Sequence, residues 1–257
     1  MASPRVLIFG GNGGIGRLIA ESMLLESWHV ASVIRDPRQE AEIFQLGPKR
    51  CPKADVLVVD LALMKYEDAS KTLRKVKPNY VVFAAGKESY DYTTTTFAKL
   101  LYCSPGNMVT KFLMISFPAS RRKKAPWWEN TDYQNFLDET RVYPEIAEAK
   151  LNADEYLVAM AKQRNDDGPS SFQAISLRPS WLTNAPRGKI HLGKTKFSGR
   201  ISRAAVAISL LSRSDASGWF DLVNGNDGIE SAVDNTVQNN LNSIKGGDLE
   251  EIYSKLI

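Results

Sequence analysis

The sequence predicts an α/β fold, a Rossmann-like doubly wound parallel sheet with a small C-terminal substrate region. Three observations carry this reading. Short β-rich runs alternate with longer segments of helical period, as repeated βαβ units require. The early β runs are nearly continuous apolar stretches, as in strands covered on both faces. The first of them runs into a glycine-rich turn, Gly10-Gly11-Asn12-Gly13-Gly14-Ile15-Gly16, that opens a helical pattern.

Taken in order, strands are expected at Arg5–Phe9, His29–Ile34, Asp55–Val59, Tyr80–Ala84, Lys111–Ser116, Phe172–Leu177 and Trp219–Val223. Between the early strands, Ile15–Leu25, Pro37–Leu46, Tyr66–Val76 and Thr93–Tyr102 read as helices. The fourth is stopped by Ser104-Pro105-Gly106, because proline and glycine interrupt helices. Pro144–Arg164 is the longest helical pattern and opens on a proline suited to a first helical position. Its tail, Asn165 to Pro169, reads as a loop. Beyond Pro179 the alternation weakens: Pro186 to Gly199 suggests a loop or short hairpin, Ser202–Leu211 a helix, and one more helix starts at Ile229. No repeat or low-complexity linker marks a boundary. The expectation is therefore one dinucleotide-binding domain over residues 1–257, with substrate-side elements near 117–143 and 180–257.

Composition narrows the function classes. With 257 residues, 43% hydrophobic and 24% charged, the chain can bury a sizeable core and need not be disordered. The excess of 33 Lys and Arg over 29 Asp and Glu gives a net charge of +4, short of the clustered excess of a dedicated nucleic-acid binder. Cys51 and Cys103 lie far apart with no histidine clustered near either, which argues against a disulfide framework or a zinc site. His29 and His191 have no metal-ligand spacing, so no metal is expected. No apolar stretch is long enough for a membrane span, and the four-residue run Val6–Phe9 is too short for a signal peptide. A cytoplasmic monomer or homodimer acting on a small molecule, with no nucleic-acid or membrane partner, is the expectation.

Read as G-x-x-G-x-x-G, the turn has its glycines at Gly10, Gly13 and Gly16. Backbone without Cβ can turn tightly, approach a pyrophosphate and let the helix pack on the strand, while the helix aims its first N–H groups at the phosphates. Its placement after a strand and before a helix is the context that gives the motif meaning; a merely flexible glycine loop is the competing reading. Asn12, Gly14 and Ile15 complete the loop. Nineteen residues after Gly16, where an NAD site normally places an acid, stands Arg35. A guanidinium there can pair with a 2′-phosphate, favouring NADP(H), although a solvated strand-end charge is also possible and the adjacent Asp36 leaves room for NAD. Asp60-Leu61 ends the third strand with an acid able to reach the adenine amino group. Ala84-Ala85-Gly86 ends the fourth with small residues beside the cofactor.

Together these features resemble the atypical short-chain dehydrogenase/reductases, specifically the NmrA-like NAD(P)-binding group found widely in fungi. The resemblance covers most of the chain and also rests on Ser120 to Trp128, Ala149-Lys150 and Arg178-Pro179. It implies NADP(H) binding, with some members reductases and others sensors or non-redox proteins. It further implies a Tyr-x-x-x-Lys pair with a Ser or Thr at the fifth strand end, the lysine holding the nicotinamide ribose and lowering the tyrosine pKa for proton exchange. Lys150 matches that lysine. Four residues earlier stands Ile146, which cannot donate a proton. Ser116 matches the hydroxyl, with Phe117 next to it and the register open by one residue. Tyr143, seven residues before Lys150 and about 10 Å along a helix, would need a bent start at Pro144 to substitute. The segment Pro179-Ser180-Trp181 resembles the family's Arg-Pro-Gly backbone contact to the nicotinamide amide, with Ser180 replacing Gly and Trp181 adding bulk.

Arg121-Arg122-Lys123-Lys124 followed by Trp127 and Trp128 forms a basic and aromatic segment past the fifth strand. Substrate binding by cation–π contact competes with an ordinary solvated loop. Residues 187–203 hold six Lys or Arg and no acid, the makings of a positive flap. Three functions follow. One is NADPH-dependent reduction of a small apolar or aromatic metabolite without the usual tyrosine. Another is a non-redox isomerase or cyclase, such as a Diels–Alderase of specialised metabolism, that keeps NADP(H) in its pocket and uses Arg121, Arg122, Lys150 or Glu145 for charge stabilisation. The third is a cofactor-sensing regulator without turnover.

Overall fold

Four consecutive apolar residues, Val6 to Phe9, are fully buried, and they make the central strand β1 (Arg5–Phe9) of the N-terminal half. The computed structural model describes residues 3–47, 54–86, 109–167, 172–211, 216–244 and 249–254. β1 pairs in parallel with β2 (His29–Ile34) on one side and β4 (Tyr80–Phe83) on the other. β3 (Ala54–Val58) pairs with β2, and β5 (Lys111–Ile115) with β4. Eight strands form the main sheet, in the order β3-β2-β1-β4-β5 and then β6 (Gln173–Pro179), β10 (Gly218–Asn224) and β8 (Ile190–Gly193), and the fold is α/β with a mostly parallel, Rossmann-like sheet.

Contacts divide the chain into two compact units, Met1–Met114 with Arg164–Phe172, and Ile115–Gln163 with Gln173–Ile257. In the first unit, the registers Phe9↔Val33, Ile34↔Val58 and Phe9↔Phe83 bring the chain out of four parallel strands along one edge. Gly10, Arg35, Asp60 and Ala84 follow those strand ends, the edge where open parallel sheets bind ligands. Helices α1 (Gly14–Leu25) and α3 (Tyr66–Val76) follow the expected positions closely. The stretch expected as a helix over Pro37–Leu46 is a 3-10 turn, Pro37–Gln39, followed by a five-residue α2 (Glu40–Phe44). β3 is the edge strand of the sheet, and Val58 is exposed, so coverage on both faces does not extend to it.

The second unit is built on β6 (Gln173–Pro179) and β10 (Gly218–Asn224), parallel, with β8 (Ile190–Gly193) antiparallel to β10. Two short strands, β7 (Trp181–Thr183) and β9 (Arg200–Ser202), pair in a sheet of their own. Helix α4 (Asn130–Val142) precedes α5 (Pro144–Asp167), which continues through Asp167 and so corrects the loop expected from Asn165. Buried positions along α5 include Ala147, Lys150, Asp154, Leu157 and Ala161, a stripe of helical spacing that carries two ionisable side chains. Helices α6 (Arg203–Leu211), α7 (Ile229–Gln238) and α8 (Leu249–Tyr253) complete the described elements. The expected helix Thr93–Tyr102, its stop at Ser104 to Gly106, and both cysteines lie outside the described residues. No described helix is long and apolar enough to cross a membrane.

Candidate functional site

In the first unit the glycine loop is shaped by close backbone approach. Gly10 adopts φ +77°, and a Cβ there would lie 2.7 Å from the Ala85 nitrogen, so this turn is confined by the end of β4. A Cβ on Gly16 would meet the Gly10 carbonyl oxygen at 2.2 Å, which fixes the first turn of α1 against the loop. Gly13 differs: its Cβ would meet only the Gly10 oxygen, at 3.1 Å. Gly13 and Gly14 are exposed at the start of α1, whose first turn carries no acid, and Gly13 caps the helix without a side-chain hydrogen bond. The Gly13 N–H donates to the Gly10 carbonyl at 2.9 Å, and the first N–H groups of α1 that follow it have no acceptor within the helix, the donor set a pyrophosphate needs. The loop therefore fits a dinucleotide. The Asn12 Oδ1 accepts from Arg17 Nη1 at 3.2 Å, and Arg17 also pairs with Glu42, so the loop is braced from behind. Ile15 is buried beneath it.

Arg35 is exposed at the end of β2. The neighbouring Asp36 is engaged: its carboxylate accepts the Arg38 backbone N–H at 3.0 Å and the Arg38 guanidinium at 2.6 Å. Those bonds hold the Asp36 carboxyl down at about 2. Asp60 Oδ1 accepts the Ala62 N–H at 2.9 Å and so shapes the turn after β3, with Leu61 half-buried beside it. Ala84 and Ala85 are half-buried and Gly86 exposed. The loop and the Ala84-Ala85 segment are thus brought together.

The second unit holds a buried polar cluster centred on Asp154, fully buried on α5. Its Oδ2 accepts hydrogen bonds from Ser116 Oγ at 2.7 Å and Ser120 Oγ at 2.8 Å, and its Oδ1 accepts one from Ser176 Oγ at 2.5 Å. Arg178, also fully buried, approaches Asp154 at 3.7 Å and Asp221 at 3.6 Å, and its guanidinium lies over the Trp219 ring. Burial pushes the Asp154 carboxyl up, against the pull of Arg178 and the three serines. Burial likewise brings the Arg178 guanidinium down to about 10, helped by the nearby Arg121 charge. One turn before Asp154, Lys150 donates from Nζ to the Ile115 carbonyl at 2.8 Å. Its burial lowers the amine to about 8, with Asp154 opposing the shift.

The other expected catalytic and substrate residues separate. Tyr143 is the C-cap of α4, 40% exposed and outside α5, so the bend before Pro144 exists but the tyrosine does not extend the Lys150 helix. Glu145 is exposed on the first turn of α5. Arg122 pairs with Glu155 at 2.6 Å. Arg121 is buried and pairs with Asp221 at 2.7 Å, its guanidinium lying over both Trp127 and Trp128. Both indole N–H groups donate to the Thr195 carbonyl. Trp128 packs with Phe136 and Phe197 in an aromatic cluster, and Phe117 is half-buried against it. A solvated loop is therefore the wrong description of Arg121, because its charge has two buried partners, Asp221 and the Ser243 carbonyl. Pro179 and Ser180 are buried, and Trp181 is 55% exposed.

Sequence reasoning missed Asp154, Ser120, Ser176 and Asp221. Asp154 alone had a signal, since four residues after Lys150 is one helical turn. Among the described residues, no group of three or more potential ligands could hold a metal ion.

A family profile described as NAD(P)H-binding matches residues 10–213. No curated protein matches. Among solved structures, the oxidoreductase ylbE from Lactococcus lactis is 17% identical, with a TM-score of 0.68 over 91% of this chain and 97% of its own. ChuY, an anaerobilin reductase from Escherichia coli O157:H7, is 18% identical with a TM-score of 0.64, over 87% and 98%. The Bordetella bronchiseptica enzyme WbmG, solved in complex with NAD, is 15% identical with a TM-score of 0.58, over 93% and 78%. At these identities the likeness is one of fold. The profile match spans most of the chain and includes the glycine loop, and by it the chain belongs to the NAD(P)H-binding family.

Proposed function

We propose that this protein is an NADP(H)-dependent oxidoreductase acting on a small apolar or aromatic metabolite. The observation that carries the reading is the loop from Gly10 to Gly16, whose exposed Gly13 and Gly14 backbone opens α1 with no acid in the first turn. The preference for the phosphorylated cofactor rests on the end of β2. With Asp36 engaged by Arg38, the exposed Arg35 leaves that strand end net positive, suited to a 2′-phosphate and poorly suited to ribose hydroxyls alone.

A bound NADPH would supply a hydride for an electrophilic carbon, and the accompanying proton must reach the substrate heteroatom from elsewhere. Ile146 cannot give it. Ser116 already donates its hydrogen to Asp154, which leaves its oxygen as an acceptor. Lys150 keeps N–H donors beyond the one used on Ile115, and its position matches the lysine that the family uses on the nicotinamide ribose. Proton delivery thus falls to water or to a donor on the substrate. The test is loss of absorbance at 340 nm over a broad panel of carbonyl and imine substrates. Substrate-dependent loss with matching product supports the reading, and no turnover across the panel counts against it.

A second reading is favoured by that same Ser116–Asp154 hydrogen bond. A site whose serine hydrogen is engaged and whose tyrosine is absent suits a non-redox isomerase or cyclase that keeps NADP(H) as part of its wall. Product formation with constant absorbance at 340 nm would select it.

A further inference from the structure

We propose that Trp181 and Arg200 form a platform for a planar aromatic ligand bearing a carboxylate or similar anion directly on its ring. This rests on the function proposed above and names its substrate class. Of the five tryptophans, all within the described residues, Trp181 alone is exposed, at 55%. An indole left bare on a strand offers a flat apolar face that a planar ring can cover.

The strand pairing puts a cation beside it. β7 and β9 run parallel in the register Trp181↔Arg200, Leu182↔Ile201, Thr183↔Ser202. Register partners in such a pair project to the same face, and side chains alternate along each strand. Ile201 is fully buried, so the Leu182–Ile201 face is the inner one and the Trp181–Arg200 face looks outward. The guanidinium is not stacked on the indole, and among the described residues Arg200 has no ion-pair partner. Paired strands lie about 4.8 Å apart, so a ring on the indole carries a directly attached acid group toward the guanidinium.

The pair is also held in place. Ser180 Oγ donates to the Gly199 carbonyl at 2.7 Å, at the foot of both strands, and Thr183 Oγ1 donates to the Ile201 carbonyl at 3.4 Å. Ser202 Oγ accepts the Ala205 N–H at 3.1 Å, joining β9 to the start of α6. The six cations and absent acids of residues 187–203 give the region a positive field, which selects an anion over a neutral ring. Stacking and charge together recognise an aromatic acid, while a neutral aromatic obtains only the first.

Calorimetric titration of the full chain with 2-naphthoate and with neutral 2-naphthalenemethanol, with and without saturating NADP+, tests this. The acid is expected to bind at least about tenfold tighter than the alcohol. Trp181→Ala should weaken the acid by about tenfold or more and Trp181→Phe far less, while Arg200→Gln removes the preference for the acid and Arg200→Lys keeps part of it. Circular dichroism of each variant identifies any that misfolds, and the Phe and Lys variants then carry the test. Equal binding of acid and alcohol, or acid binding unchanged in both Trp181→Ala and Arg200→Gln, overturns the proposal. Weaker NADPH binding by Arg200→Gln with naphthoate unaffected also overturns it, assigning Arg200 to the cofactor. Failure of the wild type to bind NADPH instead removes the function proposed above and leaves the naphthoate comparison readable.

Discussion

The glycine loop of the first unit and the Asp154 cluster of the second are both tightly specified, by opposite means. The loop depends on missing side chains: Gly16 is required because a single carbon would strike the Gly10 carbonyl. The cluster depends on side chains that must all be present, because Asp154, Arg178, Arg121 and Asp221 are ionisable groups held almost entirely out of water. The difference teaches where each site is vulnerable. A loop fails by addition and loses its ligand, whereas a buried charge network fails by subtraction and loses the fold.

The largest effect is expected at Asp154. Asp154→Ala leaves Arg178 short of a counter-charge and takes the carboxylate acceptor from Ser116 and Ser176, while Ser120 keeps the Phe117 carbonyl at 2.6 Å. Breaking a buried pair from one side costs about 3–5 kcal/mol, so urea denaturation should show a fall in unfolding free energy of that size. A change below about 1 kcal/mol would mean that the cluster is hydrated and that its geometry contributes little.

Lys150 sharpens the comparison through pH. Its amine is lowered to about 8 from 10.5. Between those values the unfolded chain binds a proton that the folded chain does not, so stability attributable to this residue rises with pH across that window. Relative to Lys150→Met, the wild type should gain on the order of 2–3 kcal/mol between pH 7.5 and 10.5. Denaturation midpoints for both proteins at those two pH values measure it, and a flat difference would place the amine in water.

How much of this was legible follows from the same contrast. The loop, Arg35 and the small residues after β4 are contiguous motifs that follow readable strands, so local reading could place them at the strand ends. Helices α1 and α3 and strands β1 and β2 were equally readable, because their apolar runs are long and their glycine or charged boundaries sharp. Asp154 is different. Ser116, Ser120, Ser176 and Arg178 come from 38, 34, 22 and 24 residues away, and nothing local to any of them announces the others. The basic run at Arg121 misled for the same reason: four consecutive cations suggest solvent until Asp221, a hundred residues on, supplies the charge that allows one of them inside. Short α2 escaped because a helical pattern cannot reveal that its first turn closes as 3-10 around the Asp36 cap.

Within the loop the two glycines should separate fold from binding. Gly16→Ala places a carbon 2.2 Å from the Gly10 oxygen and must displace α1, costing about 1–3 kcal/mol as well as cofactor affinity. Gly13→Ala meets only one atom, at 3.1 Å, and should leave the unfolding free energy within about 0.5 kcal/mol while weakening NADPH by about tenfold. Equal stability losses in both would show that the loop is a structural turn and not a phosphate cradle.

The smallest effect is the choice between cofactors. Arg35 is exposed, so its attraction for a 2′-phosphate is partly screened. Arg35→Ser should weaken NADPH by about tenfold at low salt, less at 0.5 M, and leave NADH unchanged within about twofold. Titrating both cofactors against both proteins yields a ratio of ratios in which general damage to the loop cancels. A ratio that stays at one removes Arg35 from cofactor selection, and the preference would then have to come from charge elsewhere. If adding Asp36→Ala to Arg35→Ser costs NADH no affinity, the carboxylate held by Arg38 was never available to the ribose, as its hydrogen bonds imply.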